Sequence, residues 1–169
     1  RDWSSDVCSS DLGLKFDISD FDGYAVEAAL QIKEKANAGE VVVISLGADN
    51  VQETLRKAMS MGADRAVQLK HDAPVFDSFA IATALAAELS AGGYDLVMFG
   101  RMSIDTANQA TGTIAAELLG LPILTAISKL DVEGGKVRAR RELEGAYELL
   151  ECPLPAVVTI DEGIDRKST

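Results

Sequence analysis

A chain of 169 residues, 47% hydrophobic and 25% charged, is long enough for one globular domain with a sizeable core. Its net charge of −11 opposes the phosphate backbone of nucleic acids and anionic lipid headgroups, and no apolar run approaches the roughly 20 residues that cross a bilayer. Neither nucleic-acid reading nor membrane insertion is expected, which leaves small ligands and soluble protein partners.

The amino end, RDWSSDVCSSDL (Arg1 to Leu12), is polar and aperiodic and holds the only Trp and one of the two Cys. It has neither the basic n-region nor the apolar h-region of a signal peptide. It resembles a translated sequencing-adapter peptide, as does the terminal DRKST (residues 165–169), so both are read as artefactual, non-native ends and the domain as residues 13–164. One thiol, Cys152, is left there, which excludes disulfides and cysteine-based metal sites and is compatible with a reducing compartment.

LKFDIS (Leu14 to Ser19) reads as a short strand. In DFDGYAVEAALQIKEKANAG, Ala25, Ala29, Ile32 and Ala36 recur at helical spacing, Asp20 or Asp22 can cap the start, and Gly39 stops the helix. Lys33 and Lys35 near its end suit the negative pole. VVVISLG (Val41 to Gly47) is a β-branched run bounded by glycine, hence a buried strand. The next helix carries Asp49 or Asn50 as cap, Val51, Leu55, Ala58 and Met59 on one face, and Gly62 as terminator. RAVQLK (Arg65 to Lys70) is a third strand.

After Pro74, Asp77 can cap SFAIATALAAELSAGG, whose nearly all-round apolar character predicts burial between layers. YDLVMF (Tyr94 to Phe99) has the composition of a strand buried on both faces; a polar loop, Gly100 to Gly112, follows, then a helix ending at Gly120. From Ile123 the rhythm changes. ILTAISKLDVE, KVRARRELEG and AYELLEC alternate apolar and polar residues around glycine turns, as antiparallel hairpins do, and AVVTID closes the run. The fold class expected is α/β: a doubly wound, mostly parallel sheet with helices on both faces and an appended antiparallel hairpin region.

Self-contained catalysis finds little support. His71, the only histidine, sits in a polar turn, KHDAP, and Cys152 has no cationic neighbour or helix start to activate it. Met59 and Met61 read as helix core and flank. Neither G-x-G-x-x-G nor G-x-x-x-x-G-K-[ST] is present. The loop after YDLVMF is the candidate site, because a polar loop from the carboxyl end of a strand into a helix start is where open α/β sheets hold anions. It exceeds the usual 2 to 6 residue connection. Gly100 permits close backbone approach; Ser103, Thr106, Asn108 and Thr111 supply hydroxyl and amide groups suited to phosphate and ribose, and Asp105 an acceptor for a ribose hydroxyl or for the turn itself. A solvent-exposed connection that binds nothing is the competing reading.

Four motifs carry a resemblance across nearly all of residues 13–164: SDFDGYAVEAAL, QETLRKAMSMGADRA, GRMSIDTANQATG and RRELEGAYELLECPLPAVVT. In this order and spacing they resemble the beta subunit of electron-transfer flavoprotein, the family that includes the FixA proteins. The resemblance implies a Rossmann-like, adenine-nucleotide-binding sheet and an αβ heterodimer with an alpha subunit. Such a heterodimer takes electrons from flavin dehydrogenases and passes them to a quinone oxidoreductase or similar acceptor. It is an electron carrier, enzymatic only in bifurcating complexes that use NADH. One FAD is held mainly by the alpha subunit; the beta subunit binds AMP structurally, or a second FAD in its place. A bacterial cytoplasmic location, or the mitochondrial matrix in a eukaryote, is also implied. The implied nucleotide contacts fall on Ser19, Asp20, Phe21 and Asp22, on Leu46 through its backbone, and on Gly100, Arg101, Met102, Ser103, Ile104, Asp105, Thr106, Ala107, Asn108, Gln109, Ala110 and Thr111.

The sequence departs from the family where Asn-Pro is replaced by Ser19-Asp20, and where Gln-Ala before Ile-Asp is replaced by Met102-Ser103. TANQATG matches neither the AMP-type nor the bifurcating form of the loop. The family's first strand and its carboxyl-terminal partner-recognition segment find no counterpart. In a doubly wound sheet that first strand lies between Val41 to Leu46 and Tyr94 to Phe99, so a gap is expected there, to be closed by those two strands or partly filled by Leu14 to Ile18. A stand-alone nucleotide-binding regulatory module of the universal-stress type is the alternative, and the segment Ile123 to Thr159 discriminates, since such a module has no need of it. A metal or thiol redox enzyme fails for want of ligands.

Overall fold

The computed structural model describes residues 17–73, 75, 77–103 and 106–162. The expected strand residues Leu14 to Phe16, the two ends at residues 1–12 and 165–169, and the site residues Ile104 and Asp105 lie outside the described residues.

Among the described residues, four helices and seven strands follow in the order α1 (Asp20–Ala36), β1 (Val42–Gly47), α2 (Val51–Met61), β2 (Arg65–Lys70), α3 (Ser78–Gly92), β3 (Leu96–Gly100), α4 (Thr111–Leu119), β4 (Ile123–Glu133), β5 (Lys136–Leu143), β6 (Ala146–Pro153) and β7 (Ala156–Ile160). Asp17, Ile18 and Ser19 belong to no strand and lead straight into α1. The N-cap of α1 is Ser19, not Asp20 or Asp22, and the helix stops at Ala36, three residues before Gly39. Asn37 makes that stop: it adopts φ 50° and turns its N–H to the Glu34 carbonyl, a left-handed conformation that asparagine tolerates. Asp77 caps α3 by accepting from the Phe79 N–H at 3.0 Å. Gly62 and Gly120 end α2 and α4.

The strands form two sheets. β1 and β2 pair in parallel; the second sheet runs β3-β7-β4-β5-β6, with β3, β7 and β4 parallel and β4, β5 and β6 antiparallel. β7, last in sequence, is therefore inserted between β3 and β4. All five of its residues are buried, and they alternate by face as the pleat requires. Ala156, Val158 and Ile160 join Ala25 of α1, Ile127, Val137 and Cys152 in one core cluster, and Val157 meets Leu89, Val97 and Ala116 in the other. Helices thus cover both faces.

Two expectations of burial fail, for one reason each. β1 is half-buried along its whole length and β3 buries only Val97, because the two strands are not hydrogen-bonded to each other and each has a single partner. The contact across the break is by side chains, with Ile44 of β1 packed against the cluster of Leu89 and Val97. The helix α3 is not enclosed between layers: it buries Ala82, Ala86 and Leu89 at spacings of four and three, and leaves Phe79 57% exposed. Its other exposed positions, Ala80, Thr83, Ala87, Ser90, Ala91 and Gly92, are small residues that water tolerates at little cost. No described helix is long and apolar enough to cross a membrane.

Candidate functional site

The carboxyl ends of β3 and β7 and the amino ends of α1 and α4 meet along one edge of the larger sheet. Gly100, the last residue of β3, makes the meeting possible. A Cβ there would sit 2.6 Å from Asp22 Oδ1, 2.7 Å from the Asp22 nitrogen and 2.8 Å from the Phe21 carbonyl carbon, so only glycine lets α1 start against the strand end. Gly112 does the same for α4, where a Cβ would lie 2.8 Å from Thr159 Cγ2 and 3.3 Å from the Phe99 ring.

Two polar contacts tie α1 to the loop. The Gly100 N–H donates to Asp22 Oδ1 at 3.0 Å, and the Ser19 hydroxyl donates to the Met102 carbonyl at 3.4 Å. Ser19 therefore makes no side-chain cap to its own helix. Asp22 keeps exposed surface, but the protein crowded around its carboxyl at the strand end desolvates it and moves its pKa above the ordinary aspartate value, and the Gly100 N–H opposes that shift. Phe21 packs edge-on against Tyr24, with ring centroids 6.3 Å apart, and Asp20 is exposed.

Past β3 the loop folds on itself. The Ser103 and Thr106 hydroxyls are 2.6 Å apart, the Ala107 N–H donates to the Ser103 carbonyl, and Asn108 Nδ2 donates to Ser78 Oγ at the start of α3. Ala107 and Gln109 hold φ of 51° and 52°, a left-handed region that costs a residue with a Cβ of the order of 1 kcal/mol and persists where neighbours enforce it. Gln109 is followed by Ala110 in the right-handed region, φ −106° and ψ −32°. Such a left-then-right pair aims successive amides to one side, a concavity suited to anions. It leads into the first turn of α4, whose N-cap Ala110 has no side-chain oxygen to occupy the free amides.

The structure brings Ser19, Asp22, Gly100, Met102, Ser103 and residues 106–111 together; Leu46 it does not join to them. Leu46 sits near the carboxyl end of β1, in the smaller sheet, with Leu69 as its register partner. Two participants escaped the sequence reading. Asp161, one residue beyond β7, accepts from Arg101 Nη1 at 2.6 Å, and Ser78 anchors Asn108. Both are remote in sequence from the loop, by 60 and 30 residues, and no local pattern announces either pairing.

Chemically the edge offers backbone amides, hydroxyls and one cation already paired, a set that can seat a phosphoryl group and a ribose. Groups of three or more His, Cys, Asp or Glu able to hold a metal do not occur among the described residues. His71 lies exposed in its turn, with Nδ1 2.8 Å from the Ala73 carbonyl oxygen, and burial raises the pKa of the Cys152 thiol away from reactivity. A hollow of about 710 Å³ lies elsewhere, between α1 and the β4–β6 strands. Four cations line it: Lys35, Arg138 and Arg140 pair with Asp131, Glu151 and Glu142, Lys129 lies beside them, and Arg140 Nε is buried without a hydrogen-bond partner among the described residues.

The profile of the electron transfer flavoprotein domain matches residues 10–168. A protein of Syntrophomonas wolfei named electron transfer flavoprotein subunit beta is 36% identical over 150 residues, covering 89% of this chain and 59% of its own. Proteins of the same name from Mycobacterium bovis and Mus musculus are 43% and 37% identical, over 83% and 88% of this chain and 55% and 60% of theirs. The chain thus spans well under two thirds of the length of these curated relatives.

Proposed function

The chain belongs to the electron transfer flavoprotein family, and from that membership we propose that it is the nucleotide-binding part of a beta subunit, paired with an alpha subunit in an electron carrier. The stand-alone regulatory module is not favoured: its relatives would carry another name, and it has no use for the antiparallel strands β4, β5 and β6. The observation that carries the nucleotide reading is the glycine cradle at Gly100, where two uncapped helix starts converge on one polar loop.

In this reading the adenine nucleotide, AMP or a second FAD, takes its phosphoryl group at the amides from Gln109 to Gly112, and the ribose lies beside Ser103, Thr106 and Asn108, whose polar groups are already ordered by the Ser103–Thr106 and Asn108–Ser78 hydrogen bonds. The uncapped amides, the left-then-right turn and the absence of a competing capping side chain fit an anion there. Flavin supplies the redox chemistry when bound, and it is held mainly by the alpha subunit. This chain's own residues bind, orient and exclude water; none is required to move a proton. Electron donors of the flavin dehydrogenase class and a quinone oxidoreductase as acceptor follow from the same proposal.

The divided sheet supports a further part of it. Among the described residues β1 and β3 share no ladder, which in this reading leaves the place between them for the family's first strand. The native domain is taken as residues 13–164. The test is titration calorimetry with AMP on the beta subunit co-expressed with its alpha partner. Saturable binding of one AMP, weakened in Gly100→Ala, is expected; a yellow heterodimer that takes up neither AMP nor a second FAD overturns the reading.

A further inference from the structure

We infer that Asp161 is the positioning residue of the nucleotide loop: it fixes Arg101, and Arg101 in turn holds Gln109 in the conformation that opens the amides before α4. The inference rests on the nucleotide reading of this edge, and it concerns a residue outside the loop.

Both members of the pair are anchored through their backbones. The Arg101 N–H donates to the Ile160 carbonyl at 2.8 Å, extending the β3–β7 ladder by one rung, and the Asp161 N–H donates to the Ile127 carbonyl at 2.9 Å on the opposite side of β7. Asp161 Oδ1 accepts from the Glu162 N–H at 2.8 Å, which leaves Oδ2 to accept from Arg101 Nη1 at 2.6 Å. Free surface ion pairs contribute little, because two long side chains must be ordered to make them. Here only the arginine side chain has freedom to lose, and the pair is 37% and 24% exposed.

The guanidinium carries the constraint onward. Its Nε donates to Gln109 Oε1 at 3.3 Å, and Gln109 Nε2 lies 3.7 Å from Met102 Sδ, so the glutamine side chain is held at both ends. Gln109 is a residue whose backbone needs holding, with its φ of 52°. The pairing also settles the role of Arg101. A guanidinium matched by Asp161 is not available as a free cation, so an anion at α4 is received by amides while the arginine acts as a tether.

The experiment uses the full beta chain with its alpha partner. Hydrogen exchange is followed at the amides of Gln109 to Gly112, and AMP affinity by calorimetry, in Asp161→Asn, in Asp161→Glu, and in Glu148→Gln as a control that opens the surface pair with Arg141. Asp161→Asn is expected to accelerate exchange at these amides and to weaken AMP, each roughly five- to tenfold, as loss of one charge-assisted bond does. The melting temperature should stay within about 2 °C. Asp161→Glu should recover part of both effects, and Glu148→Gln should show neither. Unchanged exchange in Asp161→Asn overturns the inference, as does tighter AMP binding, which would mean that Asp161 restrains a phosphate-seeking arginine. Should Asp161→Asn fail to fold, Arg101→Lys, which keeps the charge and loses the planar fork, is read in its place by the same exchange criterion. If the unaltered protein takes up no AMP the nucleotide reading falls, and the exchange result still decides what Asp161 does.

Discussion

Replacing Gly100 by alanine tests the arrangement on which the site depends. The added methyl would stand 2.6 to 2.8 Å from Asp22 Oδ1, the Asp22 nitrogen and the Phe21 carbonyl carbon, about 0.6 to 0.8 Å short of the 3.4 Å at which ordinary contact begins. Two of those three atoms are backbone, so no change of rotamer relieves the clash; the first turn of α1 must move away from β3. Overpacking of this kind costs about 1–3 kcal/mol, and the shift also stretches the 3.0 Å bond from the Gly100 N–H to Asp22, worth about 1 kcal/mol. Alanine's smaller unfolded-state entropy returns less than about 1 kcal/mol. A net loss of about 1–3 kcal/mol is expected, read as a lower urea midpoint at unchanged slope. Gly23→Ala is the matched control. Gly23 lies inside the same helix with nothing within 4 Å of its would-be Cβ, so alanine should raise stability by about 0.5–1 kcal/mol and leave AMP affinity alone. A Gly100→Ala protein as stable as its parent would refute the claim that this glycine is what lets α1 close on the strand.

The remaining expectations concern charge, core and sheet. Partial desolvation at the strand end holds the Asp22 carboxyl above its ordinary pKa in the fold, so the folded chain binds that proton more tightly than the unfolded one. The stability tied to this residue therefore falls as pH rises from about 4 through the raised value, and is flat beyond it. Asp22→Asn keeps an acceptor for the Gly100 N–H without the charge; its unfolding free energy should depend less on pH above about 4, and a steeper fall with pH than in the parent would count against this. Ile127, with no exposed surface, should cost about 2–5 kcal/mol when cut to alanine, whereas Leu149, 77% exposed, should change stability by less than about 0.5 kcal/mol. Equal midpoints for the two variants would contradict the assigned core. Expressed alone, residues 13–164 should unfold gradually, because β1 and β3 each lack a second neighbour; a single sharp calorimetric transition at about 45 to 65 °C would show that the divided sheet is complete as it stands.

Much of the architecture was legible because it is local. Apolar runs bounded by glycine marked β1 and β3, and the two-residue turn Gly134-Gly135, both at positive φ, joins β4 to β5 where the alternation breaks. What stayed hidden is set by contacts distant in sequence. Nothing in AVVTI says that the strand inserts between β3 and β4, yet that insertion brings Asp161 beside Arg101 and Thr159 under Gly112. The start of α1 was misjudged for the same reason. Asp22 has the right chemistry for a cap, but its carboxylate is used by Gly100, 78 residues away, and Ser19 spends its hydroxyl on Met102.

The comparison of β1 with β7 separates composition from context. VVISLG and AVVTI are both rich in β-branched residues, and either would be read as an interior strand; one is half-buried throughout, the other buried at every residue. The difference lies in flanking strands: β7 has β3 and β4 on its two sides, whereas β1 has only β2. The site is built on the sheet that contains β7, since Gly100 ends β3, Asp161 follows β7, and α1 and α4 pack on the sheet those strands share. Leu46 belongs to the other half, so its position relative to Gly100 depends on side-chain packing around Ile44 and not on a hydrogen-bonded ladder. A ligand gripped by the loop and the α4 amides alone would therefore tolerate movement of β1, while one that also leans on the Leu46 backbone would be lost with it.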